Sequence, residues 1–113
     1  MITIWHNPRC SKSRQTLALL EERGHAVTIR RYLDLPPTAE ELRAALALLG
    51  LPAIGLTRTG ETAFKDLGLA KDADDDTLVA ALAATPKLIE RPVVFANGKA
   101  ALGRPPEAVL DIL

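Results

Sequence analysis

The sequence predicts an α/β fold built on one mixed four-stranded sheet, and two patterns carry that prediction. Near the start an apolar run, Met1 to Trp5, precedes leucines at helical spacing, Leu17 and Leu20, and then a β-branched stretch, Ala26 to Tyr32. Strand, helix and strand in that order form a parallel crossover. Near the end Pro92-Val93-Val94-Phe95-Ala96, Asn97-Gly98 and Lys99 to Leu102 read as strand, turn and returning strand. The Asn-Gly pair tolerates the positive φ angles that a two-residue hairpin turn needs.

Each element has its own local signal. Gly24 stops the first helix, and Pro36-Pro37 breaks the chain after the second strand. Thr38 and Glu41 have capping-box spacing for a helix whose Leu42, Ala45, Leu46 and Leu49 share a core-facing side and which Gly50 ends. Pro52, Gly55 and Gly60 punctuate the next stretch, so Leu56-Thr57-Arg58-Thr59 reads as part of a connecting loop. Glu61 to Leu67 predicts a short helix stopped by Gly68. The acidic run Asp72 to Asp76 is similar to the opening of a calcium loop, but Thr77 and Ala83 stand where that loop requires glycine and glutamate. These acids suit instead the start of a helix carrying Leu78, Val79 and Leu82, with Asp75 or Asp76 as its cap and Thr85-Pro86 at its close. Gly103-Arg104-Pro105-Pro106 leads into a final helix with Val109, Leu110 and Leu113 apolar. The whole is a thioredoxin-like α/β sandwich over residues 1–113, with helices on both sides of the sheet. A helical insertion, about 38–85, separates the βαβ half from the ββα half.

Composition narrows the function. Fourteen basic and fourteen acidic residues cancel, and no basic run offers the electrostatic footprint of a nucleic-acid binder. No signal peptide opens the chain and no apolar run reaches membrane-spanning length, so a cytoplasmic protein with no membrane partner is expected. One cysteine excludes an internal disulfide.

That cysteine, Cys10, falls on the strand-to-helix turn inside Trp5-His6-Asn7-Pro8-Arg9-Cys10-Ser11-Lys12-Ser13-Arg14. Free backbone N–H groups and the positive end of the helix dipole stabilise an anion there, so the thiol loses its proton more easily than a free one. His6, Lys12 and Arg14 add cationic or hydrogen-bond-donating groups nearby. A buried structural cysteine would have apolar neighbours; Arg9, Ser11, Lys12 and Ser13 are costly to desolvate together. Counting excludes several sites. A phosphatase-type loop needs arginine at Thr16, and a dithiol redox motif needs cysteine at Ser13. No usable zinc-ligand spacing joins Cys10, His6 and His25, and no glycine-rich nucleotide loop is present. What remains is one activated sulfur, whose turnover by thiol exchange requires an external thiol. Arginines suit a tetrahedral oxyanion, and Arg58, Arg91 and Arg104 stand in suggestive contexts, although spacing alone leaves Arg58 readable as a surface residue.

Taken together, His6-Asn7-Pro8-x-Cys10, Pro36-Pro37, Leu56-x-Arg58, Glu90-Arg91-Pro92-Val93-Val94, Gly103-Arg104-Pro105 and the Val109 to Leu113 ending resemble the glutaredoxin-coupled arsenate reductases over nearly the whole chain. The resemblance implies a thioredoxin-like fold with Cys10 as nucleophile and Arg58, Arg91 and Arg104 as oxyanion ligands. It implies that His6 activates the thiol, that Ser13 and Asn7 belong to the anion loop, and that Arg14 joins the substrate-binding set. Pro92 matches a structural cis-proline. Arsenate is then the substrate, glutathione the co-substrate and glutaredoxin the protein partner, with no tightly bound cofactor and no metal. Longer reductases of the family continue past the position of Leu113, so any role of that tail is expected to be absent. Two other readings stay open. The related Spx regulators bind RNA polymerase, but their redox-sensing members use a Cys-x-x-Cys switch that Ser13 removes. A general glutathione-dependent thiol oxidoreductase would need Cys10 but not the three arginines.

Overall fold

Strand β1 (Ile2–Trp5) lies inside the sheet of the computed structural model, which describes residues 1–113. The sheet has four strands in the order β2-β1-β3-β4, with β2 at Val27–Arg30, β3 at Val93–Ala96 and β4 at Lys99–Leu102. β1 pairs parallel with β2, Ile4 opposite Ile29, and antiparallel with β3, Ile4 opposite Val94; β3 pairs antiparallel with β4. The mixed sheet predicted from the crossover and the hairpin is therefore present. Contacts divide the chain into two compact units, one formed by Met1–Leu35 with Arg91–Leu113 and the other by Pro36–Glu90, which contains the stretch expected as an insertion over 38–85.

In the sheet unit, helix α1 (Ser11–Glu22) follows β1 directly. Ile2, Ile4, Val94 and Ala96 alternate onto one face of the sheet, where they bury Leu20 of α1 and Val109 and Ile112 of the last segment. Of these, Ile4, Leu20, Val94 and Val109 are fully buried, and each contributes roughly 1.5–3 kcal/mol. Trp5 is placed by the opposite phase of the alternation: its ring lies 5.0 Å from that of Phe95, and the Arg30 guanidinium stands 5.8 Å from its centre. The hairpin turn has Asn97 at φ 54° and Gly98 at φ 72°, the left-handed pair its residue types predict.

Two expectations for this unit are corrected. β2 stops at Arg30 rather than continuing to Tyr32, because the Arg31 carbonyl accepts the N–H groups of Asp34 (3.0 Å) and Leu35 (2.9 Å) and the chain turns. The final helix is a 3₁₀ helix over Pro106–Ile112. Residues three apart eclipse in that winding, so its buried members are Pro106, Val109 and Ile112. A 3.6-residue period instead singles out Val109, Leu110 and Leu113.

In the Pro36–Glu90 unit, α2 (Ala39–Leu49) has its capping box complete: Glu41 N–H donates to Thr38 Oγ1 (3.1 Å) and Thr38 N–H to Glu41 Oε1 (3.0 Å). Leu42, Ala45 and Leu46 are buried, and Gly50 caps the end. The short helix predicted before Gly68 is α3 (Thr62–Asp66). Helix α4 (Asp75–Ala84) is capped by Asp74, one residue before the expected Asp75 or Asp76, with Thr77 N–H donating to Asp74 Oδ1 at 2.7 Å. The Thr77 backbone N–H, and after it the Thr77 side chain, hold the Asp74 carboxyl below its ordinary value. Its neighbours are engaged elsewhere: Asp75 accepts from Ala53 N–H (3.1 Å), and Asp76 pairs with Arg43 (2.7 Å).

The stretch expected as a loop is also more ordered. Ala53–Leu56 winds as a 3₁₀ helix. Thr57 then bridges Ile89 antiparallel, flanked by Arg58 N–H to the Leu88 carbonyl and Glu90 N–H to the Leu56 carbonyl, both 2.7 Å. No helix is long and apolar enough to cross a membrane.

Candidate functional site

Cys10 is the N-cap of α1, in extended conformation (φ −92°, ψ 123°), so the chain enters the helix at the sulfur-bearing residue itself. A short network fixes the loop before it. Cys10 N–H donates to the Asn7 carbonyl (3.0 Å) and Arg9 N–H to Asn7 Oδ1 (3.0 Å). Ser13 Oγ, fully buried, accepts from Asn7 N–H (3.0 Å) and sits 2.6 Å from His6 Nδ1. Arg14 reaches back from α1, its Nη1 donating to the Pro8 carbonyl at 3.0 Å. Asn7, Ser13 and Arg14, predicted around an anion, all make bonds that shape the loop.

The surroundings of His6 favour its uncharged form. Burial pushes its pKa below the ordinary histidine value, the charges of Arg31 and Arg14 push the same way, and Glu21 opposes them more weakly. The imidazole has its hydrogen bond with Ser13. A neutral ring sharing a proton with a hydroxyl that already accepts from Asn7 N–H orders the loop through hydrogen bonding.

Cys10 is buried, with only 7% of the residue exposed, and a guanidinium borders its sulfur: Arg104 Nη2 lies 3.7 Å from Cys10 Sγ. Arg104 is aimed by its other edge, Nε donating to the Arg91 carbonyl at 2.8 Å. Two cis peptides, Arg91–Pro92 and Arg104–Pro105, follow these arginines. Thus Cys10, Arg91 and Arg104 come together from three distant parts of the sequence.

Gly103, which the sequence marks as the lead into the last helix and as part of the family motif, makes this approach possible. Its N–H donates to the Pro92 carbonyl (2.9 Å), and a β-carbon on it would stand 2.5 Å from Thr16 Oγ1 and 2.6 Å from Pro92 Cγ. Thr16 is itself held by donating to the Lys12 carbonyl (2.8 Å). A glycine directly before the Arg-Pro step was the available signal.

Arg58 belongs to the Pro36–Glu90 unit, where its backbone is paired with Leu88 and its guanidinium is ion-paired with Glu61 and lies 3.6 Å from Glu90 Oε1. No three His, Cys, Asp or Glu side chains gather to hold a metal ion.

Known proteins resemble this chain in sequence and in fold. The ArsC family model matches residues 5–112. The chain belongs to the ArsC family. Among its members, an arsenate reductase of Neisseria meningitidis serogroup A is 51% identical, the match covering 99% of this chain and 97% of the relative. The arsenate reductase of Escherichia coli K12 is 42% identical across 99% of this chain and 80% of its own length. A solved structure, the arsenate reductase from Vibrio cholerae, superimposes with a TM-score of 0.95 at 50% identity, covering 99% of this chain and 97% of that one. The fold is the thioredoxin-like fold of ArsC structures, and in this ArsC chain it places the cysteine at the first turn of α1.

Proposed function

We propose that this ArsC-family chain reduces arsenate to arsenite through a covalent adduct on Cys10, with glutathione and glutaredoxin as electron donors. The observation that supports it most directly is the Arg104 fork, 3.7 Å from the Cys10 sulfur and oriented by the Arg91 carbonyl. A guanidinium beside a nucleophile stabilises both a sulfur anion and the oxygens of a tetrahedral ion arriving there. Relatives at 42% and 51% identity that bear the name arsenate reductase support the substrate.

In this reading the Cys10 thiolate attacks arsenic, a sulfur–arsenic bond forms, and one arsenate oxygen leaves as water after taking up protons. Arg91 and Arg104 neutralise charge on the remaining oxygens. Arg58 is assigned to the same anion on the family resemblance. Reducing As(V) to As(III) takes two electrons, which two external thiols supply by becoming one disulfide. Glutathione provides the second sulfur at the adduct, and glutaredoxin takes over the mixed disulfide, so one cysteine in this chain suffices. A compartment that keeps glutathione reduced, the cytoplasm, is where we place the reaction.

The test is arsenite formation with glutathione and glutaredoxin, each omitted in turn. Cys10→Ser is expected to abolish turnover, because a hydroxyl is neither ionised at neutral pH nor able to form the sulfur adduct. Arsenite production retained by that variant would reject the mechanism.

A further inference from the structure

A second charged cleft borders the catalytic loop. It has a volume of about 440 Å³ and is lined by His6, Asn7, Pro8 and Arg9 from the loop and by Arg31, Leu33 and Asp34 from the turn after β2. His6 and Asn7 form its buried part, whereas Arg9, Arg31 and Asp34 are exposed at its rim. Its charged rim groups are two guanidiniums and one carboxylate, and the network that shapes the catalytic loop uses the Arg9 backbone N–H and not its side chain. A lone oxyanion is served by the arginines but opposed by Asp34. A ligand with two carboxylates and one ammonium matches all three groups.

We propose that this cleft binds the thiol co-substrate, a γ-glutamyl tripeptide of the glutathione class, with Arg9 and Arg31 taking its carboxylates and Asp34 its ammonium. Consecutive α-carbons are 3.8 Å apart, and a tripeptide extends about 10 Å. Arg9 is the chain neighbour of Cys10, so a tripeptide anchored there lies within its own length of the Cys10 backbone. Leu33 offers apolar contact for its methylenes. The assignment rests on the reading of glutathione as the electron donor, and it names residues with no part in binding arsenate.

The experiment titrates the protein with S-methylglutathione, which cannot react, and follows binding by calorimetry. Wild type is expected to bind, and Arg9→Ala and Arg31→Ala each to weaken binding about tenfold, the loss of one charge-assisted contact. Inorganic phosphate is expected not to displace the ligand. In turnover, Arg9→Ala is expected to raise the KM for glutathione while leaving the single-turnover rate with 2-mercaptoethanol, which carries no charge to recognise, unchanged. Absence of binding, binding indifferent to both substitutions, or displacement by phosphate would overturn the assignment. Binding that both variants weaken, in a protein that makes no arsenite, would leave the cleft standing as a γ-glutamyl site and reject arsenate reduction instead.

Discussion

Arg104 and Arg58 are the same side chain held in two ways. In the sheet unit, Arg104 is aligned by a neutral backbone carbonyl, which fixes its direction without cancelling its charge, and its outer nitrogen borders a sulfur. In the Pro36–Glu90 unit, Arg58 is aligned by two carboxylates, Glu61 and Glu90, which fix it by sharing its charge. A carbonyl clamp is indifferent to salt and to carboxyl titration, whereas an ion-pair clamp weakens with both. The first arrangement favours a group that faces the Cys10 sulfur, and the second a group positioned by its surroundings.

The largest effect on this contrast is expected from Arg104→Lys. The charge stays but the fork that joins the Arg91 carbonyl to the Cys10 sulfur is lost, so kcat/KM for arsenate should fall by about 10- to 100-fold. An unchanged kcat/KM would show that direction does not matter there. Gly103→Ala forces a β-carbon into Thr16 and the Pro92 ring. It should cost about 1–3 kcal/mol, a fall in Tm of roughly 5–15 °C by calorimetry.

A smaller effect comes from His6. Its folded pKa lies below the unfolded value of 6.5, so as the pH falls the unfolded chain takes up this proton first. The stability contribution is present above the unfolded pKa and is lost as the pH falls through it toward the folded value. Urea midpoints should decline in that window, and His6→Gln should flatten the decline. Smallest is the change expected for Glu61→Gln, under about 1 kcal/mol of stability and shrinking as salt is added. If that variant lowered arsenate turnover more than Arg104→Lys, the ranking of the two arginines would be reversed.

Signals confined to a few residues were legible in the sequence. The β1–Cys10–α1 turn, the Thr38 capping box and the Asn97-Gly98 hairpin each depend on neighbours in the chain, and each is present. Errors arose where a local pattern had two solutions that only packing separates. The acidic run predicts Asp75 or Asp76 as the cap of α4, yet Asp74 takes that place while Asp75 and Asp76 take partners elsewhere. Val109 to Leu113 fitted either winding, and burial of Pro106, Val109 and Ile112 settled on three residues per turn. Long-range pairings were silent. Nothing near Leu56 announces its antiparallel partner at Glu90, and Arg104 reaches a sulfur 94 residues away. Residue types suggested that arginines belong near Cys10, but only the folded chain gives the Arg91 carbonyl its role.

One feature of the hairpin reaches beyond its bend. The Asn97 amide, at the left-handed corner, donates to the Ile112 carbonyl at 2.9 Å and so rivets the tip of one element to the end of another. Asp-Gly and Gly-Gly steps reverse a chain equally well, yet neither brings an amide to that carbonyl. Grafting such an interchangeable bend here would preserve the strand pairing and release the 3₁₀ helix from its far anchor.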